Sequence, residues 1–275
     1  MQSVDMNSYI FDNRAEAETA QRFDSLDSLY NPRTFQFLLA AGIKSGWNCL
    51  EVGGGSGSVA AWMAEQVGPG GSVLVTDIEP RFIERSGCEK IPNLKLRRHD
   101  ISVDPLPEAT FDVIHARLVL SHVPRRQQAL DNMVAALRPQ GYLVIEDFDR
   151  LLIDRTIPVR DSAAAVSYRR VIAALAQLMD ERGFDAGWAQ SMYHRLKTAG
   201  LSDVGMEGHL AVRDGAAARL DLANITQIRK EAVTKGLVSE ADIDAALSAL
   251  AAPDFAVFSP VMFTAWGCRR SDINL

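Results

Sequence analysis

The sequence predicts an α/β protein: a doubly wound, mostly parallel sheet with helices on both faces. Three observations lead there. Cys49, Leu50 and Val52 make a short apolar run that stops at Gly53-Gly54-Gly55-Ser56-Gly57, and Val59, Trp62, Met63 and Val67 then recur at helical spacing. Two further apolar runs each end in an acid, at Asp77 and at Asp100. A last core run, Leu137 to Glu146, again follows a helical stretch. Strands alternating with helices in this way build parallel sheets.

Taken in order, Tyr9, Ile10 and Phe11 open the chain, and Phe23, Leu26 and Tyr30 give a weak helical stripe. Asn31-Pro32 reads as a helix start, Asn as N-cap and Pro in the first turn, before Phe35, Leu38 and Leu39; Gly42 ends it. After the strand, glycine turn and helix of residues 47–68, Ser72 to Asp77 is a second strand, and Pro80 begins a short helix through Arg81, Phe82 and Ile83. Asn93 to Ile101 contains a third strand, with His99 expected on the surface. Phe111 to His115 is a fourth, and a helix is expected from Pro124.

Beyond Phe148 the pattern loosens. Asp161 and Ser162 suit the cap of a helix carrying Val166, Ile172, Leu175 and Met179. A second helix follows Gly187-Trp188, and Val204 to Val212 reads as a sixth strand. Residues 215–251 hold two more helices, the second opened by a Ser239…Asp242 capping box. Phe255 to Cys268 reads as one last strand.

Composition narrows the function classes. At 47% hydrophobic and 23% charged, the 275 residues suit a globular chain with a sizeable core. The net charge of −6 argues against a nucleic-acid partner. No apolar run approaches the ~20 residues of a membrane helix, and no basic-then-apolar leader is seen. Cys49, Cys88 and Cys268 are too few for a disulfide framework and read as buried thiols. The expectation is a cytoplasmic protein with a small-molecule partner and no metal, nucleic acid or membrane; a homo-oligomer is compatible with it.

The glycine loop points to a nucleotide-like ligand at the carboxyl edge of the sheet. The dinucleotide fingerprint needs a third glycine at its sixth place, where this loop has Ser58. Asp77, 20 residues past Gly57, stands where an acid accepts from both ribose hydroxyls. That suits either NAD or S-adenosylmethionine, and a purely structural glycine turn also remains open at this point.

The run Glu51-x-Gly53-x-Gly55-x-Gly57 resembles motif I of the class I S-adenosylmethionine-dependent methyltransferases. Phe111-Asp-Val-Ile…Leu120-Ser-His-Val-Pro124 resembles the strand-four motif of that family, and Leu137-Arg-Pro139-Gln-Gly141 its "Leu-Arg-Pro-Gly-Gly" element, with Gln140 replacing a glycine. The likeness covers residues 47–147 and is nearest the small-molecule, secondary-metabolite type. It implies seven strands in a single methyltransferase domain over 1–275: an N-terminal helical lid (1–46), a cofactor-binding core (47–147) and a helical substrate cover (148–200 and 213–252).

The resemblance implies S-adenosylmethionine as cofactor. It assigns Glu51, Gly53, Gly55 and Gly57 to the cofactor's amino-acid tail and loop, and Asp77 with Ile78 to the ribose. Asp100 with Ile101 falls to the adenine, and Arg117 to the same site. For catalysis it points to His122 as a general base just past strand four and to Tyr9 as an aromatic lid residue near the reacting methyl, with Glu146 and Asp147 as second candidates. A packing role for His122 is an equal reading of the residues alone. Two other classes stay open: a protein that binds S-adenosylmethionine without methylating, as sensor or scaffold, and, less favoured, an NAD(P)-dependent oxidoreductase.

Overall fold

The computed structural model describes residues 16–151, 162–214 and 218–271, which form two compact units. The sheet unit spans Tyr30–Asp147 and Trp188–Gly208 and resumes at Phe263; the helical unit is built from Phe148–Gly187 and His209–Met262 with the described chain before Tyr30.

Seven strands make the large sheet: β1 (Asn48–Val52), β2 (Ser72–Asp77), β3 (Leu94–Arg98), β4 (Phe111–Arg117), β5 (Leu137–Asp149), β6 (Ser202–His209) and, after two short strands, β9 (Val261–Cys268). Their order is β3-β2-β1-β4-β5-β9-β6. β1 lies parallel to both β2 and β4, so the order reverses there and opens a crevice at the carboxyl ends, where ligands bind in such sheets. Parallel strands are covered on both faces and read as continuous apolar runs. Their side chains still alternate: Cys49, Val113 and Val144 pack with α2 (Ser58–Val67), whereas Leu50, Ile114, Leu143 and Ile145 pack with α4 (Arg126–Ala136) and α6 (Trp188–Thr198). Leu50, Ile114 and Leu143 are fully buried, each contributing about 1.5–3 kcal/mol relative to exposure. The sequence reading put α6 in the cover; its Trp188, Met192 and Leu196 instead belong to the core of the sheet unit.

The first helix, α1 (Glu16–Ala40), corrects the sequence reading. It does not start at Asn31-Pro32 but runs through both. Arg22, Leu26, Tyr30, Thr34 and Leu38 are all buried at a spacing of four, one unbroken stripe, while Pro32 is exposed on the opposite side. The missing proline N–H therefore falls where water can serve the freed carbonyl, and side-chain burial outweighs local propensity. Phe35 stacks on Trp62 of α2 with ring centroids 4.3 Å apart. The helix after strand four begins at Arg126, two residues past Pro124. The helix after Pro80 is α3 (Arg81–Ser86).

In the helical unit, α5 (Ala163–Asp180), α7 (Arg219–Thr234) and α8 (Glu240–Ala251) bury Val171, Leu178, Ile225, Ile243 and Leu250 together. The Ser162 hydroxyl accepts from the Ala165 N–H at 3.1 Å; Asp161 lies outside the described residues. The capping box stands as expected, Ser239 accepting from the Asp242 N–H at 3.1 Å. The expected last strand is two. Ser259-Pro260 divides β8 (Ala256–Phe258) from β9, since proline cannot donate to a ladder, and β8 pairs antiparallel with β7 (Val212–Asp214). The sixth strand is likewise shorter than expected and ends at His209. No helix among the described residues is long and apolar enough to cross a membrane.

Candidate active site

The glycine loop joins β1 to α2 at the switch point of the sheet. Gly53, Gly55 and Gly57 all take the left-handed conformation, with φ of 68°, 55° and 83°. Gly53 is fixed by packing as well: a Cβ there would lie 2.3 Å from Val119 Cγ2, on the turn beyond β4. The Gly53 and Gly54 N–H groups both donate to the Thr76 carbonyl, at 2.8 and 3.0 Å. The loop is thus laid across the end of β2, beside Asp77.

Asp77 accepts one backbone N–H on each carboxylate oxygen, from Gly55 at 3.1 Å and from Glu79 at 2.8 Å. A carboxylate offers about four lone-pair sites, so each oxygen keeps one for a ribose hydroxyl. Burial pushes the Asp77 carboxyl up, with the Glu79 and Gly55 N–H groups opposing. Ile78, next along, is partly buried, and its carbonyl accepts from Arg98 Nε at 3.1 Å. Asp100 Oδ1 accepts from the Ser102 N–H and hydroxyl at 2.9 and 2.7 Å, and among the described residues Oδ2 has no donor. Ile101 is buried in the core next to it. These acids around a glycine loop fit a ligand carrying hydroxyls, an amino-purine and positive charge, which describes S-adenosylmethionine. They do not suit a pyrophosphate.

Behind the loop runs a buried polar row that crosses four adjacent strands. The register sets Glu51 of β1 opposite His115 of β4. His115 Nδ1 lies 2.6 Å from Glu51 Oε2, and its Nε2 lies 3.1 Å from Glu146 Oε2 of β5. Glu146 also accepts from the hydroxyls of Thr34 on α1 and Thr264 on β9, at 2.5 and 2.7 Å. Arg117 Nη1 donates to Thr34 Oγ1 at 3.0 Å. Burial alone would depress His115, but the Glu51 charge and the hydrogen bonds its ring makes to both carboxylates outweigh it and push its pKa up to about 9. For Glu146, burial is likewise outweighed by the His115 hydrogen bond and charge, and its pKa is lowered. At neutral pH His115 is therefore an imidazolium donating from both nitrogens. Two carboxylates, an imidazolium and the Arg117 guanidinium balance to zero, which is how so many charged groups share one low-dielectric region.

The turn beyond β4 is held at both ends. Leu118 takes a left-handed φ of 58°, uncommon for a branched residue, and its N–H donates to the Glu146 carbonyl at 2.8 Å. Asp147, buried on β5, accepts from the Ser121 N–H and hydroxyl at 3.1 and 2.6 Å. His122 follows at the end of a 3-10 turn, half-buried.

The structure therefore brings Gly53, Gly55, Gly57, Asp77 and Ile78 together at one edge, with Asp100 and Ile101 at the end of the neighbouring strand. Glu51 and Arg117 belong to the polar row, where Glu51 is 3% exposed and bound to His115. Glu146 and Asp147 are engaged structurally. Tyr9 lies outside the described residues. His99 corrects the surface expectation: it is 6% exposed, and among the described residues neither ring nitrogen has a hydrogen-bond partner. Its backbone N–H donates to the Asp77 carbonyl at 2.9 Å, which holds this residue at the strand end. Sequence reasoning missed the polar row as a unit. Its signal was present as three ionisable residues, Glu51, His115 and Glu146, inside runs otherwise apolar on both faces.

Comparison with known proteins agrees with this geometry. A family profile described as "Methyltransferase domain" matches residues 20–187. The chain is 31% identical over 120 residues to the ubiquinone/menaquinone biosynthesis C-methyltransferase UbiE of Pasteurella multocida, covering 42% of this chain and 44% of that one. It is 26% identical over 164 residues to the protein of the same name from Citrobacter koseri, covering 56% and 63%. The chain thus spans less than two thirds of the length of these curated relatives. Among solved structures, it is similar in fold to Haemonchus contortus phosphoethanolamine N-methyltransferase 2, solved with phosphomonomethylethanolamine and S-adenosylhomocysteine (TM-score 0.58, 16% identity, 96% of this chain and 60% of that one). It is also similar in fold to the YcgJ protein of Bacillus subtilis (TM-score 0.55, 14% identity, 86% and 97%). On the family match, the motifs and the seven-stranded sheet, the chain belongs to the class I S-adenosylmethionine-dependent methyltransferases.

Proposed function

We propose that this chain transfers a methyl group from S-adenosylmethionine to a small, partly apolar metabolite of the secondary-metabolite type. The observation that carries the reading is the left-handed glycine loop beside Asp77, whose two oxygens each keep a lone pair for a ribose hydroxyl. When bound, S-adenosylmethionine supplies a methyl carbon activated by a sulfonium. The chain's own residues then bind and orient. Asp77 and Ile78 take the ribose, Asp100 and Ile101 the adenine, and the Gly53–Gly57 backbone accommodates the amino-acid tail. Glu51 stands behind the loop, its orientation fixed by the hydrogen bond from His115. Arg117 steadies the same row through Thr34.

Proximity contributes most of the rate, of order 7–11 kcal/mol in favourable cases. His122, on the clamped turn beyond β4, is the general base of this reading, and Tyr9 the aromatic residue that closes over the methyl. The relatives named for ubiquinone/menaquinone biosynthesis support a small-molecule acceptor. The test is calorimetric titration with S-adenosylmethionine, S-adenosylhomocysteine and NAD, on wild type and Asp77→Ala. Micromolar binding of the first two, no binding of NAD and at least ~100-fold loss in the variant are expected, since two hydrogen bonds to a charged group disappear. Binding of NAD alone would overturn the reading. His122→Asn should leave cofactor affinity unchanged and lower kcat by ~10²–10⁴; an unchanged kcat would remove the base and leave positioning alone.

A further inference from the structure

Helix α1 meets α2 at two levels. Phe35 stacks on Trp62, and four residues earlier on each helix Asn31 Nδ2 donates to Ser58 Oγ at 3.0 Å. The two helices thus run side by side in step, and Asn31 stands level with the first residue of α2, where the glycine loop ends at Gly57. The other terminus of the same amide, Asn31 Oδ1, is buried, and among the described residues it has no hydrogen-bond partner. Native interiors hold few such acceptors, because an unpaired one costs stability. This one lies at the exit of the loop.

The donor it suits follows from topology. Thr34, three residues along α1 from Asn31, donates to Glu146 of β5 and accepts from Arg117 of β4. This part of α1 therefore stands on the β4–β5 side of the loop. Asp77 at the end of β2 and Asp100 just beyond β3 lie on the other side, since the strand order is β3-β2-β1-β4-β5. S-adenosylmethionine carries three kinds of hydrogen-bond donor: the ribose hydroxyls, the adenine amino group and the α-ammonium of its tail. The first two fall to Asp77 and Asp100, which leaves the ammonium for the α1 side. There Glu51 Oε2 is already bound to His115. An amide oxygen offers two lone pairs, and a hydrogen bond from a charged donor is roughly twice as strong as one from a neutral donor.

We propose that Asn31 binds the α-ammonium of the cofactor's amino-acid tail through Oδ1 while its Nδ2 holds Ser58. Asn31 is then a specificity residue: it favours ligands that carry the amino group over those that lack it. This role rests on the S-adenosylmethionine reading of the loop. A site built to hydrogen-bond a donor strongly rejects the analogue lacking it, because the buried acceptor is left unpaired.

The experiment is calorimetry on the full chain with S-adenosylhomocysteine and deamino-S-adenosylhomocysteine, in which hydrogen replaces the α-amino group. The wild type is expected to bind the first at least ~10-fold more tightly than the second. Asn31→Ala should lower that preference to about threefold or less, with affinity for the deaminated ligand changed by less than about twofold. Asn31→Asp, which puts a carboxylate beside the ammonium, should raise the preference by at least about threefold. No preference in the wild type, a preference unchanged in Asn31→Ala, equal losses for both ligands there, or no rise in Asn31→Asp overturns the proposal and leaves the cofactor reading intact. A wild type that fails to bind S-adenosylhomocysteine removes the cofactor reading, and the role of Asn31 with it.

Discussion

The Glu51–His115–Glu146 row predicts a definite pH dependence. His115 has its pKa raised from 6.5 to about 9 in the fold. A raised pKa contributes stability that is fully present below the unfolded value and is lost as pH rises through the folded one. The affected window is therefore pH 6.5 to about 9. Across it the native state holds one proton more than the unfolded chain, a slope of about −1.4 kcal/mol per pH unit and about 3 kcal/mol in all. The lowered pKa of Glu146 is the same contact seen from its partner, so it is not added; its stabilisation is present above the ordinary carboxylate range and lost as pH falls through it. Glu51→Gln keeps an acceptor for His115 Nδ1 but removes the charge, the largest single cause of the rise. We expect the variant to be about 1–2 kcal/mol less stable than wild type at pH 6, with the difference fading by pH 9. Guanidinium unfolding at pH 6, 7.5 and 9 measures this, with the His115 imidazole followed by NMR. A wild type of constant stability across the window, or a His115 resonance titrating near 6.5, would refute the charge assignment.

Other outcomes follow from single positions. Gln140 occupies the left-handed region at φ 67°, so Gln140→Gly should raise stability by about 0.5–1 kcal/mol, read as a higher denaturation midpoint; a fall would refute strain at that turn. Gly141→Ala should lower stability by about 1–3 kcal/mol, because its Cβ would meet the carbonyl oxygens of Phe111, Arg138 and Asp112 at 2.9–3.1 Å, all backbone and unable to yield. His99→Leu should stabilise the free protein by about 1 kcal/mol, since both ring nitrogens are buried without partners; destabilisation would mean the ring serves the fold in another way.

How much was legible beforehand depends on the range of the interaction. The β1–glycine–α2 turn, Asp77 and Asp100 at strand ends, and the Ser239 cap are local patterns, and each lies where the sequence puts it. Gln140 in place of a glycine was visible as a departure, and the fold keeps the glycine-like conformation regardless. The polar row was not legible as a unit. Residues 51, 115 and 146 become neighbours only through the order β1-β4-β5, which no local pattern encodes. Asn31-Pro32 misled because it is a good helix start by propensity, whereas the buried stripe from Arg22 to Leu38 is a tertiary fact. Arg213 and Asp221, eight residues apart and joined by a buried hydrogen bond, are likewise paired only by the fold.

The contact of Gly53 with Val119 has a mechanical meaning. The glycine loop and the turn that leads to His122 belong to different strands, yet they meet so closely that not even a methyl group fits between them. A shift of the loop toward that turn must push Val119, and with it a segment already fixed by the Leu118 and Ser121 hydrogen bonds to β5. The two sides of the cleft are therefore in direct packing contact, with no slack at Gly53 for an added methyl group. A smaller side chain at Val119 would uncouple them, and would also make room for alanine at position 53.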